Sequence, residues 1–265
     1  MQEDPRLSLQ CTTTVVTPQG HQQARESVLR ESPVDILLND EPAGTALVLA
    51  SELEEFAVGY LFGRGYINPG ETVYGAEICD RGRVIVYAEA EPGREEKMVT
   101  TSGCGGTGQM AQRLYAESYP EPSEFVLTFS QVEELIRRTL SCSPLREETH
   151  CVHGCGYLNE QGFQACFEDV GRHNAVDKLL GGILLGRYSL PGAVYTTGRL
   201  TSDMVLKCAR LGIPVVLSRT APSSLGVEIA RESGLTLAGY ARPNRVNVFH
   251  APHRIQEDYV GESKG

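Results

Sequence analysis

Long apolar runs are missing from this chain of 265 residues, since no stretch approaches the roughly 18 consecutive apolar residues of a membrane-spanning helix. The amino-terminal residues MQEDPRLSLQ also lack the basic start and apolar run of a secretory signal peptide. We therefore expect a cytoplasmic protein with no membrane partner.

Positive charge is also scarce. Aspartate and glutamate number 34 against 24 lysines and arginines, which gives a formal net charge of −10. Unspecific attraction to nucleic acid relies on long-range positive potential, so we expect no nucleic-acid partner. A phosphate-bearing ligand would need a local basic pocket.

Paired C-x-x-C motifs are absent from the eight cysteines, which are Cys11, Cys79, Cys104, Cys142, Cys151, Cys155, Cys166 and Cys208. A chain of this length can bury a sufficient core without disulfides, so we expect most of them to be free thiols. Cys151, His153 and Cys155 offer ligand types that zinc prefers, but a tetrahedral site needs a fourth ligand. We expect these cysteines to pack, His153 to line a pocket and no intrinsic metal to be bound.

The apolar pattern predicts a mixed first half. Strands are expected at residues 34–38, 45–49, 73–78 and 83–89. A helix is expected between the second and third of them, begun by a capping box of Ser51 and Glu54 and ended at Gly65. Two prolines and two acids within residues 119–124 predict a boundary between an amino-terminal mixed β/α domain (1–122) and a second domain (123–265).

The second half shows a different pattern. A helix capped by Ser130 with Glu133 precedes a hairpin that turns at 159–162. Strands at 165–170, 193–196, 215–218 and 236–240 then alternate with helices near 174–185, 202–211 and 223–233. Such alternation indicates a layered α/β domain with some parallel pairing.

Cys104 is the first candidate for chemistry. It lies in TSGCGGTG at residues 101–108, where four glycines predict an exposed loop whose backbone N–H groups can converge on an anion. A thiolate there would be reachable, and a loop that can move would let it meet a sulfur donor and later an acceptor. The alternative is an exposed cysteine without a function.

Polar side chains also follow several predicted strands. The segment EDVGRHNAVDK at residues 168–178 places Arg172 and His173 at a helix start, where free backbone N–H groups favour an anion. Asp177 lies four residues after His173 and could orient the imidazole. Arg199 follows the next strand, and because ligands bind at the carboxyl ends of strands in α/β sheets, we expect these loops to share one crevice.

The last predicted strand ends in YARPNR. Its two guanidinium groups and aromatic ring suit a nucleotide, since arginine pairs with phosphate and stacks on bases. The residues are Tyr240, Ala241, Arg242, Pro243, Asn244 and Arg245. A basic surface turn is the alternative.

Together these motifs resemble the formate dehydrogenase accessory sulfurtransferase family, FdhD, over nearly the whole chain. The matching segments are EEFAVGYL at 54–61, TSGCG at 101–105, THCVH at 149–153, EDVGRHNAVDK at 168–178, TGR at 197–199, AP at 221–222 and YAR at 240–242. One departure is Thr107, which stands where some members have a second cysteine.

The resemblance implies an α/β protein, α+β overall, whose second domain is cytidine deaminase-like, and which acts as a homodimer. It implies a persulfide relay from a cysteine desulfurase, through Cys104, to the bis(molybdopterin guanine dinucleotide) form of the molybdenum or tungsten cofactor of formate dehydrogenase. Residues 240–245 would contribute to the guanine dinucleotide site, to which we add Arg172, His173 and Arg199 on physical grounds.

Two other functions remain as alternatives. The protein could shelter the cofactor as a chaperone without transferring sulfur. It could also be a zinc-dependent, deaminase-like hydrolase built on Cys151, His153 and Cys155, although the Pro-Cys-x-x-Cys segment of such enzymes is absent.

Overall fold

The computed structural model of the protein describes residues 7–79, 82–90 and 119–258. Within these ranges the chain is a mixed α/β protein, as predicted, with a four-stranded and a six-stranded sheet. The cytidine deaminase-like layering implied by the resemblance stays a prediction. In the same ranges, no helix combines the length and apolar character needed to cross a bilayer.

Within residues 7–79 and 82–90 the first part has six strands and one helix: β1 (Ser8–Thr17), β2 (Gly20–Leu29), β3 (Ser32–Leu38), β4 (Glu41–Val48), α1 (Leu53–Arg64), β5 (Val73–Ile78) and β6 (Arg83–Ala88). Strands β3 to β6 form the smaller sheet in the order β4-β3-β6-β5, with β3 and β6 parallel. β1 and β2 form a separate antiparallel hairpin, which the sequence did not predict because its side chains are mostly exposed and leave no clear apolar alternation.

The second part follows the predicted alternation closely. Its elements are β7 (Leu127–Thr128), α2 (Phe129–Ser141), α3 (Pro144–Thr149), β8 (His153–Asn159), β9 (Gly162–Asp169), α4 (Arg172–Leu184), β10 (Gly192–Thr196), α5 (Ser202–Arg210), β11 (Val215–Ser218), α6 (Ser224–Ser233), β12 (Thr236–Arg242), β13 (Arg245–His250) and β14 (Ile255–Gln256). The larger sheet has the order β13-β12-β11-β10-β8-β9, and β10, β11 and β12 are parallel.

Apolar side chains cover both faces of the larger sheet. Along β10, Val194 packs in one core cluster while Ala193 and Tyr195 pack in another on the opposite face. Helix α2 lies against the Tyr195 face, and helices α4, α5 and α6 lie against the Val194 face. The first cluster also includes residues of α1 and β3, so one core spans both sides of the predicted boundary at residue 122. The boundary itself stays a prediction.

Helices α1 and α4 cross at glycines. A Cβ atom at Gly59 would lie 1.9 Å from the carbonyl oxygen of Asp177, and one at Gly181 would lie 1.8 Å from that of Glu55. The two backbones can therefore approach this closely only because neither residue carries a side chain. Next to this crossing, the Lys207 ammonium lies 2.5 Å from the Asp177 carboxylate, and both side chains are buried.

Two predicted helix caps are wrong. Helix α1 has Glu52 as its N-cap, in a left-handed conformation, and no side chain caps it. The Ser51 hydroxyl instead accepts a hydrogen bond from Lys178 at 3.1 Å, a tertiary contact that the local pattern does not reveal. Helix α2 is capped by a Thr128–Gln131 box, two residues before the predicted one, and the Ser130 N–H donates to the Asp258 carboxylate.

The cysteines are mostly free within the described residues. Five are free thiols, of which Cys155 and Cys208 are buried. Cys142 and Cys166 form a disulfide between the end of α2 and β9. The sequence offered no sign of this pair, because its members are separated by 24 residues and belong to no motif.

Candidate functional site

The ends of five strands come together at one edge of the larger sheet. β9, β10, β11 and β12 all end there, while β8 begins there, because β8 runs antiparallel to both β9 and β10. Helices α4, α5 and α6 start at the same edge. We call this region the strand-end site, and it corresponds to the crevice that the sequence predicts.

Backbone and hydroxyl contacts join the loops of the strand-end site. The Ser218 hydroxyl donates to the Gly198 carbonyl at 2.5 Å, and the Thr220 hydroxyl donates to the same oxygen at 2.9 Å. Leu200, in the loop after β10, and Pro222, in the loop after β11, form a parallel bridge. The residues after β10 and β11 are therefore held as one unit, which positions Arg199 and Arg219 at its surface.

His153 lies at the centre of this region. Its Nδ1 atom is 3.1 Å from the Thr197 hydroxyl oxygen, which also accepts a hydrogen bond from the Gly154 N–H at 3.0 Å. Burial lowers the pKa of His153, and the positive charges of Arg172 and Arg146 lower it further. The ring is therefore neutral near pH 7, and its Nδ1 atom shares a hydrogen bond with the Thr197 hydroxyl.

His173 forms an ion pair with Asp203, the second residue of α5. Burial raises the pKa of Asp203, but hydrogen bonds from His173 and Thr201 outweigh this effect and hold the pKa well below its usual range. The predicted pairing of His173 with Asp177 is wrong. Asp177 is buried against α1 and α5 and pairs with Lys207 instead, so a tertiary partner replaces the neighbour on the same helix.

The rest of the segment at 168–178 anchors the site. The Asp169 carboxylate is fully buried and accepts hydrogen bonds from the Leu49 N–H at 3.1 Å and the Asn174 amide at 2.8 Å. The Lys178 ammonium lies 3.1 Å from the same carboxylate. Arg172 packs its aliphatic chain against Gly198, where a Cβ atom would lie 2.6 Å from that of Arg172. This network fixes the start of α4, with its Arg172 and His173 side chains, beside β4 and the loop after β10.

Three of the predicted nucleotide residues, Tyr240, Arg242 and Arg245, line a shallow pocket of about 340 Å³ together with Asn247. The Tyr240 side chain is exposed, and its ring centroid lies 6.4 Å from that of Phe249. Arg242 donates to the Arg219 carbonyl at 2.6 Å, and Arg245 donates to the Asn247 side chain at 3.1 Å. The pocket thus offers an aromatic face and two guanidinium groups.

Three of the six predicted residues at 240–245 do not line this pocket. Ala241 is fully buried in the core, and Pro243 and Asn244 are exposed at the turn between β12 and β13. Arg199 is exposed in the loop that follows β10.

Sequence reasoning missed three residues of the strand-end site: Arg146, Tyr195 and Arg219. Arg146 belongs to the short helix α3, for which the sequence shows no periodic signal. Tyr195 lies within a buried strand and looks like an ordinary core residue. Arg219 directly follows the predicted strand at 215–218 but was not singled out.

Two other sequence candidates have different outcomes. Cys104 lies outside the described residues. Cys151 is exposed, Cys155 is buried in the core and His153 faces Thr197, so the three do not gather around one point. Across residues 7–79, 82–90 and 119–258, no group of three or more His, Cys, Asp or Glu side chains could hold a metal ion.

Fold and site together define a mixed α/β protein with an arginine-lined pocket where its parallel strands end. The model of the FdhD/NarQ family matches residues 29–256. The chain belongs to this family, as the motifs predict.

Similar proteins carry names from the same family. The chain is 32% identical over 242 residues to the sulfur carrier protein FdhD of Wolinella succinogenes, with 88% of this chain and 84% of the relative covered. It is 30% identical over 235 residues to the sulfur carrier protein FdhD of Methanothermobacter thermautotrophicus, with 87% and 92% covered. A crystal structure described as a formate dehydrogenase accessory protein from Desulfotalea psychrophila shares 48% identity and a TM-score of 0.82, over 94% of this chain and 99% of that one.

Proposed function

We propose that this protein is a cytoplasmic sulfur carrier that takes a persulfide from a cysteine desulfurase onto Cys104. It delivers the sulfur to the bis(molybdopterin guanine dinucleotide) form of the molybdenum or tungsten cofactor, for use by formate dehydrogenase. The observation that carries the proposal is the arginine-lined pocket of Tyr240, Arg242 and Arg245 in a family member whose relatives are named sulfur carriers.

The pocket suits one nucleotide moiety of the acceptor. Its volume of about 340 Å³ is near the lower end for ligand sites, so it accommodates part of the dinucleotide cofactor. The Tyr240 ring can stack on a base, while Arg242 and Arg245 bind oxygens of the sugar or phosphate. The net charge of −10 gives no long-range attraction for an anionic ligand, so local guanidinium groups must hold it.

Cys104 supplies the reacting atom. Its thiolate attacks the outer sulfur of the desulfurase persulfide, so that a new S–S bond forms on Cys104 as the old one breaks and the desulfurase thiolate leaves. Delivery of that sulfur as sulfide later breaks the new bond and consumes two electrons, supplied by a thiol reductant or by the reduced metal of the acceptor. One thiol per chain suffices for this sequence of steps, and the protein acts as a homodimer.

Labelling with sulfur tests the carrier step. The protein is incubated with a cysteine desulfurase and cysteine, and cyanide-labile sulfur is measured for the wild type, Cys104→Ala and Cys151→Ala. Cys151 is the matched control because its thiol is exposed. We expect Cys104→Ala to lose the label and Cys151→Ala to keep it, and full labelling of Cys104→Ala would refute the carrier role.

A chaperone that binds the cofactor without transferring sulfur is the second candidate, because the pocket alone would serve that role. Formate dehydrogenase maturation separates the two. A carrier requires Cys104, so Cys104→Ser should abolish maturation while guanine nucleotide binding persists. Normal maturation by Cys104→Ser would establish the chaperone instead.

A further inference from the structure

A buried tyrosine hydroxyl at the strand-end site has no hydrogen-bond partner among the described residues. Tyr195 is 0% exposed, and its hydroxyl oxygen is buried without a hydrogen bond to any described residue. Buried phenol groups normally find a partner, because leaving a desolvated donor unpaired costs free energy. This hydroxyl is therefore a position where a bound group could be recognised.

Arg146 adds a second unpaired donor on the same face of the sheet. Its Nη1 atom is buried and also lacks a hydrogen-bond partner within the described residues. Arg146 belongs to α3, whose backbone binds the Glu168 carboxylate on β9, and its charge acts on both His153 and Tyr195. The Arg146 side chain thus lies between the start of β8 and the end of β10.

The charges of two further guanidinium groups act on the Tyr195 hydroxyl. Burial raises the pKa of Tyr195, and the positive charges of Arg219, Arg242 and Arg146 partly offset that increase. The placement follows from the sheet, since Arg219 comes directly after β11, beside β10, and its N–H donates to the Thr196 carbonyl at 3.0 Å. Arg242 ends β12 and contacts the Arg219 carbonyl, so it links this group to the nucleotide pocket.

We propose that Tyr195, Arg146, Arg219 and Arg242 form an oxyanion subsite that binds a phosphate group beside the nucleotide pocket. The Tyr195 hydroxyl and Arg146 form its floor, and the half-buried Arg219 and exposed Arg242 close it. Because Arg242 lines the pocket at Tyr240 and its charge also acts on Tyr195, a ligand with its base on Tyr240 can place a phosphate here. The subsite deepens the proposed function, since it rests on a nucleotide as part of the acceptor.

Phosphate is the class of ligand that these donors fit. Three guanidinium groups compensate an anion of more than one charge, which a neutral base or sugar would not require. The phenol donates one hydrogen bond to an oxyanion and carries no charge of its own. The charges that act on Tyr195 are those of Arg219, Arg242 and Arg146, and all three favour an anion there.

Binding of GDP and guanosine to the full-length wild type and to Tyr195→Phe tests the proposal. Both affinities are measured by calorimetry at one fixed ionic strength, and the melting temperature is recorded without ligand. We expect Tyr195→Phe to bind GDP about tenfold more weakly, because one hydrogen bond to a charged acceptor is lost, and to bind guanosine unchanged. Its melting temperature without ligand should be equal to or above that of the wild type, because an unpaired buried hydroxyl is removed.

Tyr157→Phe is the matched control. The Tyr157 hydroxyl donates to the Ser189 carbonyl at 2.8 Å, on the other face of the sheet and away from the strand ends. Its removal should lower the melting temperature and leave GDP affinity unchanged. Arg146→Gln should weaken GDP binding at least as much as Tyr195→Phe does.

Three results would overturn the subsite: unchanged GDP affinity in Tyr195→Phe, an equal loss of guanosine and GDP binding, or a melting temperature several degrees lower without ligand. The last would show that the hydroxyl already has a partner inside the protein. None of them affects cyanide-labile sulfur on Cys104. A failure of the subsite is therefore distinguishable from a failure of the carrier function.

Discussion

The crossing of α1 and α4 offers the sharpest test of how the fold holds the strand-end site. We predict that Gly181→Ala destabilises the protein by about 2 kcal/mol, whereas Gly182→Ala, on the same helix, changes stability by less than about 1 kcal/mol. The two substitutions add the same methyl group at neighbouring positions. They differ only in what that group meets.

At Gly181 the added Cβ atom would lie 1.8 Å from the Glu55 carbonyl oxygen and 2.9 Å from the Gly59 nitrogen. Ordinary contact begins at 3.4 Å, so the helices would have to separate by about 1.6 Å. Both obstacles are backbone atoms of α1 and cannot rotate away. Overpacking of this kind costs about 1–3 kcal/mol or more, and it exceeds the gain of about 1 kcal/mol that alanine brings to a helix interior.

At Gly182 the added atom would meet the Tyr188 ring, at 2.8 Å. That ring is only partly buried and can turn aside, so the intrinsic preference of alanine for a helix offsets most of the contact. Chemical unfolding in urea, followed by circular dichroism, measures both variants. For a chain of this size, 2 kcal/mol corresponds to a fall of about 6 °C in melting temperature.

Equal stability of Gly181→Ala and the wild type would refute this reasoning, because it would mean that α1 and α4 do not cross as closely as described. A loss of similar size in Gly182→Ala would also contradict it. In that case the penalty would come from the helix itself and not from the crossing. The result bears on function because α4 begins with Arg172 and His173 at the strand-end site.

Three further predictions concern buried charges. Lys207→Met leaves the Asp177 carboxylate buried without its partner and should cost about 3–5 kcal/mol in urea unfolding, while Lys207→Met with Asp177→Leu should recover most of that loss. Asp203→Asn should cost about 2 kcal/mol in urea unfolding at pH 7. Because the pKa of Asp203 is lowered in the folded state, the wild type loses this stability progressively as the pH falls from about 4 toward that lowered pKa, so the difference between the two proteins should shrink steadily below about pH 4. Burial lowers the pKa of His153, so the unfolded chain binds that proton more readily, and the free energy of unfolding should fall as the pH drops below about 6.5. His153→Gln should reduce this pH dependence, measured by unfolding between about pH 5 and about pH 8. An unchanged pH dependence would contradict the lowered pKa of His153.

The elements of the second half were predictable because local pattern determines them. The strands at 193–196 and 215–218 are short apolar runs, and the helices between strands end at glycines, so their order and approximate bounds follow from the sequence. The β1–β2 hairpin and α3 escaped prediction, since neither presents a regular apolar face. Membership of the FdhD/NarQ family was also accessible, because its motifs lie in order along the chain.

The sequence did not predict the partners of the polar residues. The segment at 168–178 reads as one functional motif, yet only Arg172 and His173 belong to the strand-end site. Asp169, Asp177 and Lys178 are buried anchors between helices and strands. Sequence spacing suggested Asp177 for His173, but the tertiary fold brings Asp203 from another helix.

By itself, then, the sequence determined most of the strands and helices, which loops follow the strands, and where an arginine-rich edge lies. Only the tertiary structure decided that Tyr195 and Arg146 accompany Arg219 at that edge, and that Asp169, Asp177 and Lys178 serve packing. The physical reason is the distance along the chain over which each kind of interaction acts. Periodicity and caps act between residues a few positions apart, whereas burial and charge pairing depend on chain segments that meet only after the sheet has formed.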